Sequence, residues 1–137
     1  MQLNFDSEQE KRTDVQWANK DEWNEGDMVT FEVISAELLE VVKEGNSRLK
    51  AHFMLRVLDG ANEGRHYQKD VWDPIANKGS QGFLKHLLTT MGVSRAKLNG
   101  GNVPLAMTEA IGGKFTGLCR KVNGGKWVNW DELTQVK

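Results

Sequence analysis

The stretch Arg48-Leu49-Lys50-Ala51-His52-Phe53-Met54-Leu55-Arg56-Val57 alternates between two rows of residues, one wholly apolar and one mostly basic. Successive side chains of a strand point to opposite faces, so the pattern predicts a β-strand that buries Leu49, Ala51, Phe53, Leu55 and Val57. The same strand presents Arg48, Lys50, His52, Met54 and Arg56 on its other side. A strand with one buried row needs cover, and the flanking segments decide what kind.

Downstream, Asp59-Gly60-Ala61-Asn62-Glu63-Gly64 reads as a turn, and residues 65–73 as a third strand with Tyr67, Val71 and Trp72, stopped by Pro74. Upstream, residues 28–42 read as a strand too long to be simple. Val29, Phe31 and Val33 share one parity, Ile34, Ala36 and Leu38 the other, and the change of phase predicts a bulge that bends the strand. A helix over residues 36–43 is the competing reading. Glu25-Gly26-Asp27 and residues 43–47 read as turns.

Between residues 80 and 91 the period changes: Phe83, Leu84, Leu87, Leu88 and Met91 form a helical stripe, and Gly92 stands where a C-terminal cap belongs. After the glycine-rich link 99–101, residues 104–111 read as a short helical turn. Gly112-Gly113 leads into a fourth strand over 114–122, and Asn123-Gly124-Gly125 is a hairpin signal before a fifth over 126–130. Strand, strand, strand, helix, strand, strand is the order of the OB-fold, so the expectation is a mainly β protein with a five-stranded OB-fold barrel and a helix between strands 3 and 4. An SH3-like barrel or a plain antiparallel sheet also fits the small size and glycine-marked turns; the position of the helix favours the OB order.

A chain of 137 residues suits one domain and a tail. The net charge of −1 conceals a segregation: residues 1–27 carry eight acids against three bases, the remainder fifteen bases against eleven acids. Residues 1–26 therefore read as an acidic, flexible or loosely docked arm with a short helix between Asp14 and Trp23, and residues 27–137 as the OB domain, mildly basic and compatible with a polyanionic ligand. No apolar run reaches the ~18 residues of a membrane span, and the polar start shows no secretory signal, so an intracellular protein is expected.

Signals of catalysis are weak. Gly113-Lys114 is followed by Phe115, which fails the phosphate-loop pattern, and of carboxylates such as Asp59, Glu63, Asp70 and Asp73, which could in principle hold magnesium, three lie in or beside predicted turns. Cys119, the single cysteine, reads as a small buried apolar residue, and His52, His66 and His86 lack ligand-like spacing. No cofactor, metal or enzyme activity is expected.

Single-strand binders need cations that track phosphates and flat side chains on which bases stack. Arg48, Lys50, His52 and Arg56 on strand 2, Arg65, Tyr67, Lys69 and Trp72 on strand 3, and Arg120, Lys121, Lys126 and Trp127 about the last hairpin supply both. Arg48, Lys50, Arg56, Lys121 and Lys126 are assigned to phosphates, and Tyr67, Trp72 and Trp127 to bases. The plain alternative is a solvated face and core aromatics: Trp72 and Trp130 are large enough for the core, and the opposite parity of Tyr67 and Trp72 turns one of them inward.

The run Phe31-Glu32-Val33-Ile34-Ser35-Ala36-Glu37-Leu38, the strand from Leu49 to Leu58 with Asp59-Gly60, Gly64-Arg65, Trp72-Asp73-Pro74, Gly92 and Ile111-Gly112-Gly113-Lys114-Phe115 together resemble a phage-encoded family of OB-fold single-stranded DNA-binding proteins, once catalogued as a domain of unknown function. The resemblance implies sequence-tolerant protection of single strands in phage DNA replication or recombination, in the host cytoplasm, alongside replication or recombination proteins and with a homo-oligomer left open. Many single-strand binders end in an acidic recruiting tail, whereas this chain ends Asp131-Glu132-Leu133-Thr134-Gln135-Val136-Lys137 and carries its acids at the other end. An OB-like protein-interaction or assembly module is the rival reading, a small nuclease the third.

Overall fold

The second strand, β2 (Asn46–Val57), forms where its alternation requires, with Ala51, Phe53, Leu55 and Val57 at 2 % exposure or less, while Leu49, near the hairpin end, is only half-buried. The computed structural model describes residues 15–137. β2 pairs antiparallel with β1 (Met28–Lys43), and Glu44 and Gly45, both at positive φ, make the two-residue turn between them. β1 is a strand throughout, not a helix over 36–43, and the expected break of phase is present as a register shift between Val33 and Ser35.

The bulge lets one strand serve two partners. Residues 31–43 of β1 pair with β2, while residues 28–32 pair with β4 (Lys114–Val122), so Phe31 faces both Val57 and Phe115. With β3 (His66–Trp72) and β5 (Trp127–Gln135) outside these, the sheet order is β3-β2-β1-β4-β5, all antiparallel. β5 runs five residues beyond the expected Trp130.

Three helices stand between β3 and β4 among the described residues: α1 (Lys78–Thr90), α2 (Arg95–Asn99) and α3 (Val103–Glu109). Asn77 caps α1 by accepting from the Ser80 amide. Gly92, at φ 96°, ends it in a Schellman turn, with Gly92 N–H donating to Thr89 and Val93 N–H to Leu88. The sequence reading missed α2, since its glycine-rich link begins only at Asn99, the last residue of that helix. Leu84, Leu87, Leu88 and Met91 enter the core, and Gly113 lets the chain pass Met91 so closely that a Cβ there would lie 2.0 Å from its carbonyl oxygen.

The barrel expectation is corrected, and the arm is described only in part. The sheet is not closed into a barrel, because β3 and β5 do not pair; side chains fill the seam between them instead. The arm expected over residues 1–26 also divides: residues 1–14 lie outside the described residues, whereas 15–26 are docked along that seam. His66 N–H donates to Gln16 and Ala18 N–H to His66, both at 2.8 Å, so residues 16–18 bridge to the edge of β3. Lys20–Glu22 form a 3-10 turn, and Asn62, fully buried, exchanges two hydrogen bonds with the Asn19 backbone.

Trp23 follows, 1 % exposed, with its ring centroid 5.5 Å from Tyr67 of β3 and 4.9 Å from Trp130 of β5. A buried indole bonded to neither strand thus does by packing what strand pairing would do by hydrogen bonds. Beyond it, Gly26 N–H donates to Cys119 and Cys119 N–H to Asp27, which leads the chain into β1.

Candidate functional site

Residues directly opposite each other in antiparallel strands project to the same face. The pairs Lys50 with Trp72, His52 with Asp70, Met54 with Gln68 and Arg56 with His66 therefore share the outer face of β2 and β3. Arg48 extends this row, so Arg48, Lys50, His52, Arg56 and Trp72 come together as the alternation predicts. Ala51, Phe53 and Leu55 face Val71, Lys69 and Tyr67 on the inner side.

Trp72, 37 % exposed, stands at the C-terminal end of β3 on the outer face. The Arg48 guanidinium carbon lies 4.7 Å and the Lys50 ammonium 5.2 Å from its ring centroid. Beside it opens a groove of about 340 Å³ lined by Val41, Lys43, Glu44, Asn46, Arg48 and Trp72, at the mouth of the β1–β2 hairpin. An exposed indole flanked by cations combines the two contacts a nucleotide offers, a π-face and a phosphate.

That carboxylates neutralise the cations of this face escaped the sequence reading, which weighed Asp70 and Asp73 only as magnesium ligands. Arg48 pairs with Asp73 at 2.6 Å, Lys50 with Asp70 at 3.1 Å and Arg56 with Glu32 at 2.9 Å. Asp73 sits at φ 51°, a left-handed conformation that aspartate tolerates, and the Arg48 hydrogen bond lowers its pKa. For Asp70, burial pushes the pKa up, but hydrogen bonds from His52 at 2.6 Å and from Lys50 outweigh it and hold the group below its ordinary value. His52 itself is 8 % exposed, a buried member of this trio rather than an open contact. The signal that could have revealed these pairs is Asp70 standing at the same parity as Trp72 in the facing strand.

The other expected residues lie elsewhere. Tyr67 is turned inward, in ring contact with Trp23, Phe31 and Trp130, and burial raises its pKa, so the assignment of Tyr67 to base stacking is corrected. Lys69 also starts from the inner face and carries its ammonium 5.3 Å over the Phe83 ring of α1, where burial lowers its pKa. Arg65 is held by Glu22 at 2.8 Å, and Arg120 by Glu25 and Asp131, each at 3.2 Å. Glu25 also accepts the Lys121 backbone N–H at 2.6 Å, which lowers its pKa first, ahead of Arg120. Trp127, 55 % exposed, has Lys126 5.7 Å from its centroid and stands on the β4–β5 hairpin, at the opposite end of the sheet order from β3.

The carboxylates considered for magnesium do not converge. Asp59 accepts from the Thr30 amide and hydroxyl, Asp70 and Asp73 hold the cations above, and no group of three metal-ligating side chains occurs among the described residues. No described helix is long and apolar enough to cross a membrane. The chain is thus a mainly β protein built on one open, five-stranded antiparallel sheet with an exposed cation–indole cluster on its outer face. Comparison with protein-family models, curated proteins and solved structures found no match.

Proposed function

We propose that this chain binds single-stranded DNA without sequence preference and without chemistry on it, across the outer face of β2 and β3. The observation that carries the reading is Trp72, exposed between Arg48 and Lys50 beside the hairpin groove. Bases stack on Trp72 while Arg48, Lys50 and Arg56 exchange their carboxylates for phosphates; Lys126 and Trp127 offer a second cation–indole pair. The sheet is read as a partly open barrel of the OB type, supported by β1 pairing with both β2 and β4 and by helices between β3 and β4. On the resemblance given above, the proposed setting is phage DNA replication or recombination in the host cytoplasm.

The test is a titration with a poly-thymidine oligonucleotide, read by gel shift and tryptophan fluorescence and repeated on a duplex. Saturable quenching at low salt is expected, weaker on the duplex. If all five assigned cations meet phosphates, log affinity falls against log salt with a slope of about −3.5, and less steeply where ion pairs must break. Silence at low salt ends the proposal and selects the second reading, an interaction module. That reading is favoured by the matching of Arg48, Lys50 and Arg56 each to a carboxylate.

A further inference from the structure

Packing of α1, α2 and α3 beside the Pro74 turn leaves a groove of about 270 Å³. Its floor is Leu84, Leu88 and Ala106, all buried, and its walls are Ile75, Leu98 and Val103, with Ile75 49 % exposed. Sites that enclose a whole small molecule run from roughly 300 to 1,000 Å³. A smaller open trough suits one or two apolar side chains inserted from a larger partner.

The rim is cationic. Lys85 lines the groove, Lys78 precedes it by seven residues, and Arg95 precedes Leu98 by three, so helical periodicity puts Lys78 and Arg95 on the groove side. Residues 74–111 contain four cations, Lys78, Lys85, Arg95 and Lys97, against one carboxylate, Glu109. All four are exposed, and among the described residues none forms an ion pair. Glu109 instead accepts from the Ser94 amide at 3.4 Å.

Cations with no ion pair among the described residues, set around an apolar trough, favour an anion that also brings aliphatic or aromatic side chains. A nucleic-acid strand meets the charge but stacks its bases on exposed aromatic rings, and this floor is aliphatic. A peptide with carboxylates beside apolar residues meets both demands, because water excluded by the apolar contact strengthens the neighbouring ion pairs.

We propose that this groove docks an acidic peptide segment of a partner protein. One or two large apolar side chains of the segment seat over Leu84 and Leu88, and its carboxylates pair with Lys78, Lys85 and Arg95. The surface is separate from the outer face of β2 and β3, so the inference does not depend on DNA binding.

The test is selection from a random-peptide library on the immobilised full chain. Enriched sequences are expected to carry several carboxylates around apolar residues. A synthetic copy of the strongest should shift the amide resonances of Ile75, Lys85, Leu98 and Val103, and Lys85→Glu combined with Arg95→Glu should weaken it about tenfold while leaving the thermal melt in place. The proposal is overturned if nothing is enriched, if basic or uncharged sequences are, or if the shifts map elsewhere. It is equally overturned if poly-thymidine moves the same amides, or if Leu3→Asp with Phe5→Asp moves them without added peptide, since another occupant then holds the groove.

Discussion

The outer face of β2 and β3 and the helical layer between β3 and β4 carry similar numbers of cations but hold them in opposite states. On the sheet, Arg48, Lys50 and Arg56 each rest on a carboxylate. In the helical layer, Lys78, Lys85, Arg95 and Lys97 rest on none among the described residues. Antiparallel register is the cause on the sheet, because it sets an acid of one strand within reach of a base of its neighbour. The lesson is that a count of lysines and arginines measures potential charge, while the field a ligand meets depends on what each cation already touches. An anion would have to displace a carboxylate to reach the sheet cations, whereas those of the helical layer would meet it by attraction alone.

The largest expected effect tests whether the two regions belong to one cooperative unit. Trp23→Ala removes the ring that bridges β3 and β5 and should cost about 3–5 kcal/mol in urea unfolding. Circular dichroism and tryptophan fluorescence should still report a single transition; separate melting of sheet and helices would make the comparison one between independent modules. Next, Trp72→Ala should lose about 1–3 kcal/mol of affinity for poly-thymidine, roughly 5- to 150-fold, with the thermal melt little changed. An equal loss from Lys85→Glu would erase the distinction between the faces.

Smaller effects probe the exchange itself. Asp70→Asn should cost about 1–2 kcal/mol of stability at neutral pH, because it strips Lys50 and the buried His52 of their anion. Since Asp70 is held below its ordinary pKa of 3.8, its contribution is complete above that value and is lost as pH falls through the lowered one. Wild type and variant should therefore converge in unfolding experiments carried below pH 3.8, and a gap that persists there would place the effect in packing. Asp73→Asn keeps a side chain suited to positive φ while freeing Arg48, and should raise poly-thymidine affinity about two- to threefold. A fall would mean that the Arg48–Asp73 pair positions Trp72 rather than screening it.

Much of this was legible in the chain. Alternation located β2 and assigned its two faces, because side-chain direction in a strand has a period of two whatever surrounds it. The phase change in β1, the stripe and glycine stop of α1 and the glycine hairpin before β5 are equally local signals. α2 was not legible: its five residues hold too few turns to show a period, and a serine cap is a common residue. The parity conflict between Tyr67 and Trp72 correctly required one to face inward, but the choice depended on which residue met Trp23, forty-four positions upstream of Tyr67.

The amino-acid sequence by itself determined the strands, their order with the helix, and which row of β2 faces out, since these follow from periodicity and turn chemistry within short windows. Only the tertiary structure decided that the sheet stays open, that residues 15–26 fill its seam, and that the basic row is matched by acids while the helical cations, among the described residues, are not. Those outcomes depend on contacts between distant segments, where shape and register rather than local pattern set which side chains meet.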